Sequence, residues 1–213
     1  MRILYKPGCG EIEEKKSRFI GYTMPVSSED EALAFLEIIR KKHWDARHNC
    51  FAYVIGENQQ IQRCSDDGEP SGTAGRPMLD VLIGEEIHDA IIVVTRYFGG
   101  TLLGTGGLVR AYQQATKAGL ENSVIVEEKE GIRYCLETDY NGIGKIQYIN
   151  RTLEVLEEKT DYTQVVKCQV ILPKEVEEAY ISKVTEATSG KIKMEFLGNI
   201  RYGDAQGEVV IFD

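Results

Sequence analysis

The sequence predicts an α+β protein of two domains, and three observations carry that prediction. Residues 132–202 read as strand, helix, strand, strand, helix, strand, the split β-α-β order of a ferredoxin-like domain. Residues 127–131, Glu-Glu-Lys-Glu-Gly, form a charged stretch ending in glycine, which places a domain boundary between residues 1–127 and 131–213. Residues 90–98, Ala-Ile-Ile-Val-Val-Thr-Arg-Tyr-Phe, are an almost unbroken apolar run of strand length, so they belong at the centre of the first sheet, covered on both faces.

The remaining elements follow in order. Residues 17–26 are rich in β-branched and aromatic side chains and read as a strand. Ser27 or Ser28 then caps an amphipathic helix running to about Lys42, with Ala32, Leu33, Phe35, Leu36, Ile38 and Ile39 at helical spacing. Residues 50–55 and 61–64 read as paired strands about a turn at Gly56. Residues 77–83 form a helix with Pro77 in its first turn, where a missing N–H costs little. A glycine-rich loop, residues 99–107, feeds a helix over 108–120, and residues 124–126 close the domain with a strand. In the second domain, strands are expected at 132–138, 156–162, 165–172 and 192–202, helices at 143–153 and 174–188, and an additional edge at 207–212.

Charge and cysteine usage exclude several classes. The net charge of -9 argues against a surface basic all over. The deficit is uneven: residues 127–213 carry 11 Lys+Arg against 17 Asp+Glu, leaving 14 against 17 for residues 1–126. Five cysteines, odd in number and without a Cys-x-x-Cys pair, indicate reduced thiols rather than a disulfide framework or a cysteine zinc site. Residues 1–16 become charged before any apolar run of signal length, and no later segment approaches membrane-spanning length, so a cytoplasmic protein without membrane contact is expected.

The chemistry concentrates in three polar segments. Residues 64–79 carry the carboxylates of Asp66, Asp67 and Glu69, the hydroxyls of Ser71 and Thr73, three glycines, and Arg76 at the start of a helix. Gly104-Thr-Gly-Gly places Thr105, Gly106 and Gly107 at a helix start, where orphan N–H groups and the helix dipole favour an anion, with Arg110 a turn further on. That loop matches neither a P-loop nor a dinucleotide fingerprint. Tight packing of strand against helix explains it equally well. Residues 43–50, His-Trp-Asp-Ala-Arg-His-Asn-Cys, add Arg47 and His48. A metal is not expected, because no His-x-x-x-His pair with a glutamate base occurs. Cys50 reads as core, and a triad from Ser71, His48 and Asp66 or Asp67 lacks a nucleophile elbow. Arg96 emerges at the end of the central strand, where it reaches either a site or an acidic partner in the 66–69 loop. Arg47, Arg63, Arg76, Arg96 and Arg110 interleaved with three carboxylates thus describe a bipolar pocket.

Three motifs, Ala46-Arg-His-Asn-Cys-Phe-Ala-Tyr53, the run from Asp66 to Leu79, and the run from Arg96 to Tyr112, together resemble the Impact/YigZ family. The acidic second domain resembles the C-terminal domain of its bacterial members. The resemblance implies a ribosomal protein S5 domain 2-like fold for the first domain and a link to translation or RNA. Eukaryotic Impact proteins bind the ribosome-associated activator of a starvation-sensing kinase, using an additional N-terminal domain. Strand-like sequence from Met1 onward leaves no room for that domain, so the eukaryotic role is not expected here.

The expectation is therefore a translation-associated regulator, leaning to non-enzymatic and needing no cofactor. Its partner would be RNA, the ribosome or a translation-associated protein, met through Arg47, His48, Asp66, Asp67, Glu69, Ser71, Arg76, Arg96, Thr105, Gly106, Gly107 and Arg110. A reader of DNA sequence is not expected. The rival is an enzyme on a small phosphorylated or carboxylated ligand, with Asp66, Asp67 and Glu69 in metal or acid-base roles.

Overall fold

The structure, a computed structural model, describes residues 1–212. It divides into two compact α+β units, one of Met1–Glu127 with Asp204–Glu208, the other of Glu128–Gly203 with the chain from Val209 onward. The first unit runs β1 (Arg2–Lys6), β2 (Cys9–Glu14), β3 (Ser17–Pro25), α1 (Glu29–Lys42), β4 (His48–Ile55), β5 (Ile61–Ser65), α2 (Gly75–Gly84), β6 (Ile87–His88), β7 (Ala90–Tyr97), α3 (Gly104–Glu121) and β8 (Val124–Glu127). Its main sheet has the order β2-β3-β7-β4-β5 with every pair antiparallel. A smaller sheet, β6-β1-β8, stands beside it.

The apolar run at 90–98 does what its composition demands, since β7 is the central strand and both of its faces are covered. Ile92 and Val94 enter a core with Met78 and Leu82 of α2 and Leu108, Ala111 and Tyr112 of α3. Ile91 and Val93, pointing the other way by the strand's period of two, join Phe35, Leu36 and Ile39 of α1. Ser28, not Ser27, caps α1 by accepting from the Glu31 N–H at 3.3 Å. Glu31 reaches back to the Ser27 N–H at 2.7 Å, in the manner of a capping box.

In the first unit, the β2–β3 hairpin and the start of α3 depart from the sequence reading. The β2–β3 hairpin starts the main sheet earlier than residue 17, through a turn at Lys15-Lys16 whose backbone has positive φ at both residues. α3 starts at Gly104, so the last residues assigned to the glycine loop are its first turn.

The second unit runs β9 (Lys129–Thr138), α4 (Tyr140–Thr152), β10 (Leu156–Tyr162), β11 (Val166–Pro173), a 3-10 turn (Lys174–Val176), α5 (Glu177–Ala187), β12 (Lys193–Ala205) and β13 (Glu208–Phe212). The sheet order is β10-β11-β9-β12-β13. β11 lies between β9 and β10 and antiparallel to both, which is what a split β-α-β connection produces. Asp139 caps α4 by accepting from the N–H groups of Asn141 and Gly142, so the helix begins at Tyr140, three residues ahead of the start expected from apolar spacing. Ile143, Ile146, Tyr180 and Val184 of the helices pack on Leu136, Val166 and Val170 of the sheet. The charged stretch at 127–131 is not a free linker: Glu127 ends β8, Lys129 begins β9, and Glu128 alone lies between them.

A cleft at the end of the first sheet

The sheet's register brings the candidate residues into range. His48 at the start of β4 is opposite Arg96 at the end of β7, and Phe19 and Arg18 of β3 are opposite Arg96 and Tyr97. At this end of the sheet lies a cleft of about 460 Å³, lined by Asp45, Ala46, Arg47, His48, Arg96, Tyr97, Phe98 and Leu102.

Asp66 and its successors form a tight turn behind His48. Asp67 and Gly68 both have positive φ, 42° and 86°, and the Glu69 N–H donates to the Asp66 carbonyl at 2.9 Å. Positive φ at both central residues is the type I′ geometry, which favours Asp-Gly. The Asp66 carboxylate accepts from the backbone N–H groups of Gly72, Ala74 and Gly75 at 2.8, 3.0 and 2.9 Å, and so caps α2 from outside the helix. Burial pushes its carboxyl up, but those three N–H bonds outweigh burial and hold it below its ordinary value. Gly75 must be glycine, because a Cβ there would sit 2.7 Å from the Ser65 backbone. Asp67 accepts from the Asn49 N–H at 2.7 Å and from Arg40 Nη2 at 3.3 Å, while its carbonyl bonds His48 Nδ1 at 2.9 Å.

Glu69 turns inward. Arg96 Nη1 donates to both of its oxygens, at 2.7 and 3.0 Å, and the pair is closed from water, with side-chain exposures of 7% and 3%. Tyr112 of α3 donates to the same carboxylate at 2.8 Å. The Cys50 thiol, with its single proton, lies within hydrogen-bonding range of the Asp66 carbonyl at 3.0 Å and of the Tyr112 hydroxyl at 3.3 Å. Burial pushes the Cys50 thiol well up, so it is an inert member of this buried network and no nucleophile. The Arg96 guanidinium lies 5.3 Å from the Phe19 ring centroid and 5.6 Å from that of Phe98, a cation held over two aromatic faces.

A second network joins the cleft's other wall. Tyr22 donates to His43 Nε2 and the Tyr97 hydroxyl meets His43 Nδ1, each at 2.9 Å, while Tyr97 donates to Asp45 at 2.9 Å. Burial lowers the His43 pKa, and Lys42 adds to that, so the imidazole stays neutral. Sequence reading places His43 in the candidate segment 43–50 without giving it a role, and passes over Tyr22. The only signal available was the position of His43 directly after a helix, with Asp45 two residues on.

The remaining expected residues lie elsewhere on the first unit. Ser71 is exposed in the turn before α2, Arg76 pairs with Asp80 one helical turn away at 2.8 Å, and Arg63 lies 3.8 Å from Glu29. Thr105, Gly106 and Gly107 form the first turn of α3, which has no acidic residue and no side-chain cap, with Arg110 exposed beyond it. None of these lines the cleft, which gathers Arg47, His48 and Arg96. Among the described residues, no three His, Cys, Asp or Glu side chains are grouped to hold a metal ion. No described helix is long and apolar enough to cross a membrane.

Comparison with known proteins gives this arrangement relatives. Residues 15–120 match the Impact N-terminal domain, and residues 136–191 match a domain of unknown function, DUF1949. The IMPACT family member YvyE of Bacillus subtilis is 45% identical over 184 residues, covering 86% of this chain and 85% of its own. The IMPACT family member YigZ of Escherichia coli is 36% identical over 186 residues, 86% of this chain and 91% of its own. A crystal structure of a hypothetical protein, 34% identical, superposes with a TM-score of 0.58 over 92% of this chain and 97% of that one. With both domains matched and the identity sustained over most of its length, the chain belongs to the IMPACT family, as a two-domain member of the bacterial type.

Proposed function

We propose that the chain is a cytoplasmic, translation-associated regulator that binds RNA through the cleft end of its first domain, without chemistry of its own. One observation carries the reading: the three carboxylates of the 66–69 loop are bonded within the protein, and Asp45 on the cleft wall, though exposed, accepts from the Tyr97 hydroxyl, while the cations beside them are left to solvent. Glu69 is neutralised by Arg96, Asp67 is bonded to Asn49 and Arg40, and Asp66 is bonded to three backbone N–H groups. Arg47 on the cleft wall and Lys41 nearby at the end of α1 are exposed. Arginines and lysines presented this way suit phosphates. The same inward bonding argues against the acid-base alternative, since a general acid or base needs a carboxylate free to reach substrate.

The finer fold assignments belong to the same proposal. A first domain over 1–127 of the S5 domain 2-like type is supported by two helices, α2 and α3, on one face of an antiparallel sheet. A ferredoxin-like second domain over 131–213 is supported by the strand order β10-β11-β9-β12. Its excess of acidic residues suits a protein contact rather than RNA.

The test is RNA binding by fluorescence anisotropy across a salt series. Binding that weakens steeply with salt, with a log-log slope reduced by about 1 in Arg47→Ala, supports the reading. Binding indifferent to both salt and Arg47 defeats it.

A further inference from the structure

We propose that the cleft takes unpaired nucleotides, with bases stacking on Trp44 and Phe98 while Arg47 meets the adjoining phosphates. The inference rests on the RNA-binding reading above and narrows its ligand from RNA in general to single-stranded RNA.

The side chains at the cleft are unusually apolar for a surface built to meet phosphate alone. Leu102 and Phe98 line it at 82% and 54% exposure, and Trp44, next to Asp45 of its wall, is 84% exposed. Large aromatic side chains left in water this way mark a recognition surface. Charge names the partner's backbone, since Arg47 adjoins these apolar groups and Lys41 and Lys42 end the helix just before Trp44.

The two rings are carried by one anchor. His43 and Asp45, the neighbours of Trp44 on either side, both bond the Tyr97 hydroxyl at 2.9 Å, and Phe98 follows Tyr97 directly. The Arg96 guanidinium, itself fixed by Glu69, lies 5.6 Å from the Phe98 centroid and holds that ring from one side. The loops bearing the aromatics are therefore fixed before any ligand arrives, which limits the entropy lost on binding.

Duplex RNA has little use for such a surface. Its base faces are buried in the stack and its deep groove is closed to side chains, whereas unpaired bases offer π-faces to aromatic rings. A cleft of about 460 Å³ has the dimensions of a small-ligand site, which suits a base and not a helix.

The experiment compares a fluorescein-labelled oligouridylate, which stays single-stranded, with a blunt RNA duplex, recording anisotropy and tryptophan emission together. Trp44 is the sole tryptophan and adjoins Asp45 of the cleft wall, so its emission reports on that margin of the cleft. The expected result is at least roughly tenfold tighter binding of the oligouridylate, with quenching of Trp44 that the duplex does not produce. Trp44→Ala and Phe98→Ala should each weaken oligouridylate binding by about 5- to 150-fold, the range of one lost base stack, and Trp44→Phe should retain it. Unchanged melting temperatures establish that the variants are folded, as expected for exposed positions. Equal binding of both RNAs without quenching overturns this inference and leaves RNA binding standing, whereas binding of neither overturns both.

Discussion

Arg96 shows how a single residue can be read two ways and answer to one. At the end of a buried strand it invites a functional reading, yet its charge is matched by Glu69 in a pair closed from water. Removing one partner of a buried pair leaves an uncompensated charge, so Glu69→Ala should cost about 3–5 kcal/mol, measured by urea unfolding. Loss of under about 1 kcal/mol would mean that the Arg96 charge finds water. His43 provides a prediction with a pH sign. Its imidazole is held neutral by burial, so the unfolded chain takes up a proton at higher pH than the folded one. Stability should therefore be constant above the ordinary histidine range near 6.5 and fall as pH drops below it, and His43→Gln should flatten that limb of the curve. A variant that keeps the full slope would place the titration elsewhere.

At the scale of elements, the loop between β5 and α2 is organised by Asp66, which takes the place of a local cap: α2 begins after Ala74, whose side chain cannot accept a bond. Asp66→Ala should lower stability by roughly 1–3 kcal/mol, as three N–H groups lose their acceptor. Because the folded carboxyl lies below its ordinary value, that contribution is complete above the usual aspartate range and is lost as pH falls through the folded pKa. The gap between wild type and Asp66→Asn, followed by chemical unfolding, should close in acid. Much of this was legible beforehand. The periodicity of residues 29–42 gave α1, the apolar run gave β7, and the Asp-Gly dipeptide at 67–68 carries the signal of a type I′ turn. What sequence could not show was direction. An acidic partner for Arg96 in this loop is one of the two readings that sequence allows, but nothing in Asp66-Asp-Gly-Glu says that Glu69 is the one that meets it, or that Asp66 and Asp67 meet backbone and Arg40, because those partners lie at separations of 6 to 27 residues. β2 was missed for a related reason: Cys9–Glu14 is mostly polar and half exposed, a strand made by its pairing with β3 and not by its composition.

At the scale of the molecule, the two units have hydrophobic clusters without a residue in common. Leu136 is fully buried in the second unit's cluster, and Leu136→Ala should cost about 2–5 kcal/mol there. Native-state hydrogen exchange is the measurement: amides of β9, β11 and α4 should lose protection while those of β7 and α3 keep theirs. Equal loss in both would make the protein one cooperative unit. Charge does not follow the same division: Met1–Glu127 with Asp204–Glu208 carries 14 Lys+Arg against 20 Asp+Glu and the rest of the chain 11 against 14, so an anionic partner at the first unit's cleft depends on local cations such as Arg47 and not on net charge.

The first turn of α3 has a consequence in time rather than in space. Gly-Thr-Gly-Gly opens the helix without a side-chain cap, and each glycine there is less favourable to helix than alanine by about 0.8–1 kcal/mol. Leu108 is the first residue of α3 buried in the core, and Leu103 just before the helix packs against the same cluster, so the glycine turn is held at its two ends and not along its length. The amides from Gly104 to Gly107 should therefore exchange faster than those of the rest of α3, as hydrogen exchange would show.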